Sequence, residues 1–123
     1  ADLYFRLAEL YLEAYRADFL REGRVHEQRL KKGIKSSVLD RTTSMISLKY
    51  GVKSCQELVK LNIPFERMDH VYFFLGYNNK ELGNAKESKK YFNELVKKYP
   101  SSPFLYEAYK ELGDFAFDDN KYR

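Results

Sequence analysis

The run Arg67-Met68-Asp69-His70-Val71-Tyr72-Phe73-Phe74-Leu75-Gly76-Tyr77 decides the fold of this 123-residue chain. Met68, Val71, Tyr72, Leu75 and, just beyond the run, Leu82 recur at the period of a single helical stripe. Pro64 stands ahead of it, and a proline inside a helix costs about 3 kcal/mol, so Pro64, Pro100 and Pro103 mark boundaries. Behind it, Gly83-Asn84 supplies a left-handed stop followed by a new N-cap. The spacing predicts a helix over 65–82 and a loop of about two residues. A second stripe follows in Ala85 to Tyr99: Ser88, Tyr91, Phe92, Leu95, Val96 and Tyr99, with Lys97-Lys98 at the negative end of the helix dipole. Two antiparallel helices result.

Working outward, Ser101-Ser102-Pro103 reads as a cap with proline in the first turn, and Ala108, Tyr109, Leu112, Phe115 and Ala116 give a further apolar face up to Asp118. Toward the amino terminus, residues 1–22 carry Leu3, Leu7, Leu10, Tyr11, Ala14 and Tyr4, Ala8, Tyr15, Phe19 at helical spacing. Gly23 and Gly33 bracket the charged stretch 24–32, whose weak periodicity reads as a basic connector over 23–36. Ser36-Ser37 then offers an N-cap with Asp40 in the first turn, and Leu39, Ile46, Tyr50, Leu58 and Leu61 mark a helix over 38–61. Nothing reads as a strand. The fold class is all-α, about five helices arranged as antiparallel pairs.

Composition narrows the function. With 44% hydrophobic and 33% charged residues the chain is a single globular domain rather than a disordered tail. Its longest run free of polar and charged side chains, Val71 to Tyr77, falls far short of the ~20 residues of a membrane span. One cysteine, Cys55, closes no internal disulfide, and two histidines with one thiol are too few for an ordinary zinc site. No glycine-rich phosphate loop is present. Cys55 reads as an inert helical thiol, His26 and His70 as exposed, and Glu9 with Glu13 as a solvated pair, so no catalytic constellation, cofactor or metal site is expected. The start, Ala1-Asp2-Leu3-Tyr4, lacks a basic and apolar leader, so a targeting peptide is either removed or foreign to this chain.

Three segments align: Tyr4-x-x-Leu7-Ala8-x-x-Tyr11, Tyr72-x-x-Leu75-Gly76 and Tyr109-x-x-Leu112-Gly113. This pattern resembles the tetratricopeptide repeat, and the second copy continues the resemblance with Gly83 at the turn, Phe92 in the second helix and Pro100 closing the unit. The small residue at Ala8, Gly76 or Gly113 lets a partner helix approach closely. Asn79, where an aromatic is usual, and Ser88, where alanine is usual, depart from the pattern and are expected to loosen the pair. Halfway between the first two copies, Arg41-Thr42 stands where Leu-Gly would be, so residues 1–63 read as one enlarged repeat. Residues 64–100 then form a regular repeat and 101–123 the first helix of a truncated one. The resemblance implies a right-handed α-solenoid. The link Tyr99-Pro100-Ser101-Ser102-Pro103 further resembles tetratricopeptide proteins of bacterial cell envelopes, of the outer-membrane assembly lipoprotein and gliding-motility scaffold types. That implies the periplasm or outer-membrane periphery, with the cytoplasm as the alternative. Because the chain stops where a second helix should follow, Tyr109, Leu112 and Phe115 are expected to lie uncovered, inviting self-association or the rest of a longer array.

The resemblance implies a non-catalytic interaction scaffold whose groove is lined by first helices. Carried over by position, that groove holds Phe5, Glu9 and Leu12, then His70, Phe73, Tyr77 and Lys80, then Lys110, Asp114 and Phe117. The carboxylate-gripping set of chaperone-binding members is unmatched, since Phe74 and Tyr77 occupy asparagine places. A protein segment anchored on Phe73 and Tyr77 fits better, with packing of those rings against neighbouring helices the competing reading. The alternative partner is an anionic surface or nucleic acid on Arg21, Arg24, Arg29, Lys31, Lys32 and Lys35: residues 20–35 hold six basic against two acidic side chains, an excess equal to the chain's net +4. Nucleic acid is disfavoured because no aromatic interleaves that stretch.

Overall fold

Gly76 sits where the ring of Phe92 presses on the backbone: a Cβ placed there would lie 2.7 to 2.9 Å from three ring carbons. The contact joins two helices of the computed structural model, which describes residues 2–34, 38–62 and 65–121. The helices are α1 (Asp2–Lys31), α2 (Thr42–Leu61), α3 (Met68–Glu81), α4 (Ala85–Lys98) and α5 (Leu105–Lys121), with no strand among the described residues. The expected caps at Ser36-Ser37 and the boundary at Pro64 lie outside those residues, as does Lys35.

The α3–α4 pair is built as the stripes predict, with Val71, Leu75, Phe92 and Leu95 fully buried. Gly83 adopts φ 82° in the turn, a conformation cheap only for glycine, and its N–H donates to the Lys80 carbonyl. The two departures from the repeat pattern tighten this pair instead of loosening it. Ser88 Oγ donates to the Gly76 carbonyl at 2.6 Å, crossing between the helices at their closest approach. Asn79 Nδ2 donates to the Leu75 carbonyl one turn back at 2.8 Å, and its Oδ1 accepts from Asn84 Nδ2 at 3.4 Å, clasping the turn. Each such buried polar group is satisfied, and a net contribution of about 1 kcal/mol per bond is typical.

The amino-terminal half differs from expectation in extent and in face. α1 runs unbroken through Gly23 to Lys31, so residues 23–31 are helix and not connector. An exposed helix has no apolar face to reveal it. What supports this stretch is composition, with Glu27 and Lys31 paired at 3.5 Å four residues apart. The chain then turns back, and Arg41 fastens the return. Its guanidinium lies 3.5 Å above the Phe19 ring, donates to the Phe19 carbonyl at 2.5 Å and stands 3.6 Å from Glu22. Glu22 in turn accepts from the Ser44 N–H at 3.1 Å. Asp40 precedes α2 rather than lying in its first turn, and accepts from the Thr42 N–H at 2.9 Å and its hydroxyl at 2.6 Å. The face of α2 that packs is Ser44, Leu48, Gly51, Val52, Cys55 and Leu58. Of the residues expected there only Leu58 is inside; Leu39, Ile46, Tyr50 and Leu61 are exposed, and Tyr50 stacks on Tyr11 of α1 at 5.4 Å.

Because consecutive helices are antiparallel, α1, α3 and α5 run parallel on one side and α2 and α4 on the other. Phe5 of α1 meets His70 near the start of α3, and Phe104, just before α5, meets His70 and Phe73. The second helices also share a pattern: Glu57-Leu58-Val59-Lys60 of α2 recurs as Glu94-Leu95-Val96-Lys97 of α4. α5 enters through Ser102, whose Oγ accepts from the Phe104 N–H at 3.1 Å and donates to Asp69 at 2.6 Å, pinning the α4–α5 link to the head of α3.

Close approach at Gly76 makes a paired prediction. Gly76→Ala forces Phe92 to move and lowers unfolding stability in urea by about 1–3 kcal/mol, whereas Gly113→Ala, which meets nothing within 4 Å, is neutral or gains up to about 1 kcal/mol. Equal effects at the two sites would contradict the contact.

Candidate protein-interaction groove

The three parallel helices are joined by a seam of rings. Phe5 is only 1% exposed and is surrounded by Phe65 at 5.5 Å, His70 at 5.5 Å and Phe74 at 6.4 Å, with the Arg67 guanidinium 4.4 Å over its face. His70 continues to Phe74 at 4.2 Å and Phe104 at 4.8 Å, and Phe104 stacks on Phe73 at 4.7 Å. Phe73 also meets the edge of Phe92 at 6.1 Å and stacks on Tyr77 at 6.2 Å. Offset and tilted ring pairs of this kind add about 0.5–1.5 kcal/mol each beyond burial.

This seam corrects several expected groove residues. Phe5 belongs to the core, covered by the rings of α3, and Leu12 is buried against the Gly51 backbone of α2. Phe73 is half-buried between α3 and α5, so it welds helices more than it offers itself to a partner. His70 is half-buried within the seam rather than exposed. Lys80 is tied to Glu111 of α5 at 2.5 Å, which raises its pKa and locks the end of α3 to the middle of α5. Glu9 is half-buried, while Lys110, Asp114 and Phe117 are exposed on α5, Phe117 at 71%.

The packing set divides in the same way. Ala8, Tyr72, Leu75 and Phe92 are buried as expected, and Gly76 makes the close contact. Tyr4 and Leu7 are each 38% exposed on α1, where Phe5, Ala8 and Leu12 fill the core instead. Tyr109 is 57% exposed, Leu112 is half-buried, and Gly113 faces open space. Tyr72 is enclosed by Tyr91 at 6.2 Å and Tyr99 at 5.8 Å, two rings of the α4 side; among the described residues no helix does this for Tyr109. Tyr11 is half-buried and Pro100 exposed.

What remains open is a hollow of about 340 Å³ between α1 and α3, lined by Leu12, Tyr15 and Arg16 on one side and Phe73, Phe74, Tyr77 and Asn78 on the other. Tyr77, 43% exposed, is the expected groove residue that presents a ring here. Tyr15 and Arg16 were not expected. Their signal was the turn after Leu12, where the first helix carries aromatic and cationic side chains abreast of Tyr77. Burial, with Glu81 nearby, raises the Tyr15 pKa, so its hydroxyl stays neutral and can donate.

The described members of the alternative basic set are all exposed, and two of them are in ion pairs. Arg21 pairs with Asp18 at 3.0 Å and Lys31 with Glu27, while Arg24, Arg29 and Lys32 are exposed along and just after α1. α1 as a whole balances six basic against six acidic residues. Cys55 is buried, and burial pushes its thiol up to about 12. No metal-holding cluster occurs among the described residues.

Two measurements check these environments. Ellman's reagent should leave Cys55 unlabelled in the native protein and label it fully in urea, because the thiolate is the reactive form; rapid native labelling would contradict the burial. Burial holds the His70 pKa below 6.5 despite Asp69 and Glu9, with Arg67 acting in the same direction as burial. The unfolded chain therefore takes up that proton first, so the contribution of His70 is complete above pH 6.5 and is lost as pH falls through the lower folded value. The urea midpoint of the wild type should drop more than that of His70→Phe between pH 7.5 and 5 (pH values chosen about one unit or more either side of the ordinary histidine value). Parallel pH curves would contradict it.

Residues 71–102 match the family model of the tetratricopeptide repeat, a span that starts in α3, crosses α4 and ends at Ser102. No curated protein and no solved structure matched the chain. The family match and the five-helix architecture together support a tetratricopeptide-like helical repeat protein.

Proposed function

We propose that the chain is a non-catalytic scaffold that holds an extended or helical segment of a partner protein in the hollow between α1 and α3. Tetratricopeptide repeats generally mediate protein–protein interaction, which supports the class of function. The single observation that carries the site is the exposed Tyr77 ring facing Tyr15 and Arg16 across a hollow whose floor is already rigid. Phe73 and Phe74 are fixed by the ring seam, so little side-chain freedom is lost when a partner docks. Two tyrosines and an arginine are the side-chain types that dominate interface energies, because each joins a large apolar surface to a polar end. The partner segment would place an apolar side chain on Phe74 and Tyr77 and an acceptor near Arg16 and the Tyr15 hydroxyl.

This reading includes the division into an enlarged repeat over 1–63, a regular one over 64–100 and a first helix over 101–123. The long α1 and the shared Glu-Leu-Val-Lys pattern of α2 and α4 support it. It also includes association through the exposed side of α5, supported by Tyr109, Phe117 and the open Gly113. An envelope setting rests on the Tyr99–Pro103 link alone.

Peptides selected from a displayed random library on the immobilised chain should share an aromatic or aliphatic anchor beside an acidic residue. Tyr77→Ala and Arg16→Ala should each weaken them by more than about 1 kcal/mol in calorimetry, with the fold intact. Selected binders indifferent to both changes would refute the site.

A further inference from the structure

The net charge of this chain is sorted by helix layer. α2 carries three lysines against one glutamate, and α4 five lysines against two. α1 is balanced, α3 holds Lys80 against Asp69 and Glu81, and the α5 sequence sets two lysines against five acidic residues. The positive excess therefore lies on the second-helix side, opposite the groove.

Its placement is regular. Lys49, Lys53 and Lys60 of α2 recur as Lys86, Lys90 and Lys97 of α4, each pair separated by the same 37 positions as Leu75 and Leu112, and all six are exposed. Spacings of four and eleven keep each trio on one helix face. The two helices flank common hollows: Lys49, Val52 and Gln56 face Leu82 and Asn84 at one end, and Val59 and Asn62 face Lys98 and Tyr99 at the other. They thus lie side by side in parallel, and their lysines form two rows in one surface. Glu57 binds Lys60 at 3.5 Å, and Glu94 binds Lys98, which lies outside the rows. Lys49, Lys53, Lys86, Lys90 and Lys97 have no ion-pair partner among the described residues.

We propose that this double row of lysines docks the protein on an anionic lipid bilayer. Every cation of α2 and α4 is a lysine, a compact point charge, with no arginine fork to grip base edges or single phosphates. The rings among these lysines are poorly placed for base stacking: Tyr91 and Phe92 are buried, and Tyr50, although half exposed, is already stacked on Tyr11. A flat array of point charges matches a laterally continuous field of headgroups, and leaves the groove on the other side of the molecule facing away from the membrane.

Sedimentation with phosphatidylcholine vesicles, with and without phosphatidylserine, tests this on the chain as it stands. Binding should need phosphatidylserine and vanish near 1 M salt, where the screening length falls to about 3 Å. Each lysine neutralised should lower partitioning about fivefold, so Lys53→Gln with Lys90→Gln should lose about 25-fold while circular dichroism stays unchanged. Lys31→Gln with Lys32→Gln, and separately Tyr77→Ala, should leave vesicle binding intact, which separates this surface from the end of α1 and from the groove. The proposal is overturned if phosphatidylserine vesicles do not bind, if the Lys53/Lys90 variant binds as wild type, if binding follows Lys31 and Lys32 instead, or if duplex DNA binds and vesicles do not.

Discussion

Everything in this structure is arranged around how near α4 can come to α3. At Gly76 the answer is set by the absence of a side chain, which lets the Phe92 ring rest on backbone. Once that distance is fixed, the hydroxyl of Ser88 reaches the Gly76 carbonyl and Phe92 reaches the edge of Phe73. Phe73 then meets Phe104, Phe104 meets His70, and His70 meets Phe5, so one backbone approach propagates through three helices and the lead-in to α5 as a chain of ring contacts. Packing at crystal-like density leaves no slack in such a chain, and this is why the groove walls are stiff.

The seam also explains what is left over for binding. Where rings meet rings, side chains that a repeat would present to a partner are consumed in holding the first helices together, as with Phe5 and Phe73. The surface stays open only past the end of that seam, where α1 continues beside Tyr77 and contributes Tyr15 and Arg16. The length of α1 thus has a direct effect on the interaction surface. The return loop after α1 is held by Arg41 on Phe19 and Glu22, whose carboxyl is pushed up by burial yet held low overall by Ser44 and Arg41.

Much of the fold was legible in the sequence where apolar periodicity, proline and glycine agree. The α3–α4 pair was read within a few residues because Val71, Leu75, Phe92 and Leu95 repeat at helical spacing and Gly83 stops the first helix. Residues 23–31 were missed because a helix exposed on most sides has no apolar stripe, and its support comes from charge pairs such as Glu27–Lys31. The face of α2 was misread because Ile46, Tyr50 and Leu61 are larger than their buried neighbours Ser44, Gly51 and Cys55, and close helix packing selects small residues over oily ones. Of the groove, Tyr77 was visible by position, while Tyr15 and Arg16, inside the helix expected over 1–22, join it only through the side of α1 that meets α3, marked in the sequence by no more than an aromatic and a cationic side chain in the turn after Leu12.

The parallel register of α1, α3 and α5 is the claim on which both the scaffold reading and the separation of charge between the two helix layers stand. Aromatic nuclear Overhauser spectra of the native protein test it most directly. That register predicts cross-peaks from Phe5 to Phe74 and from Phe73 to Phe104, beside the Gly76–Phe92 cross-peak of the α3–α4 pair. Helices that form while the Phe5–Phe74 and Phe73–Phe104 cross-peaks are missing would contradict it.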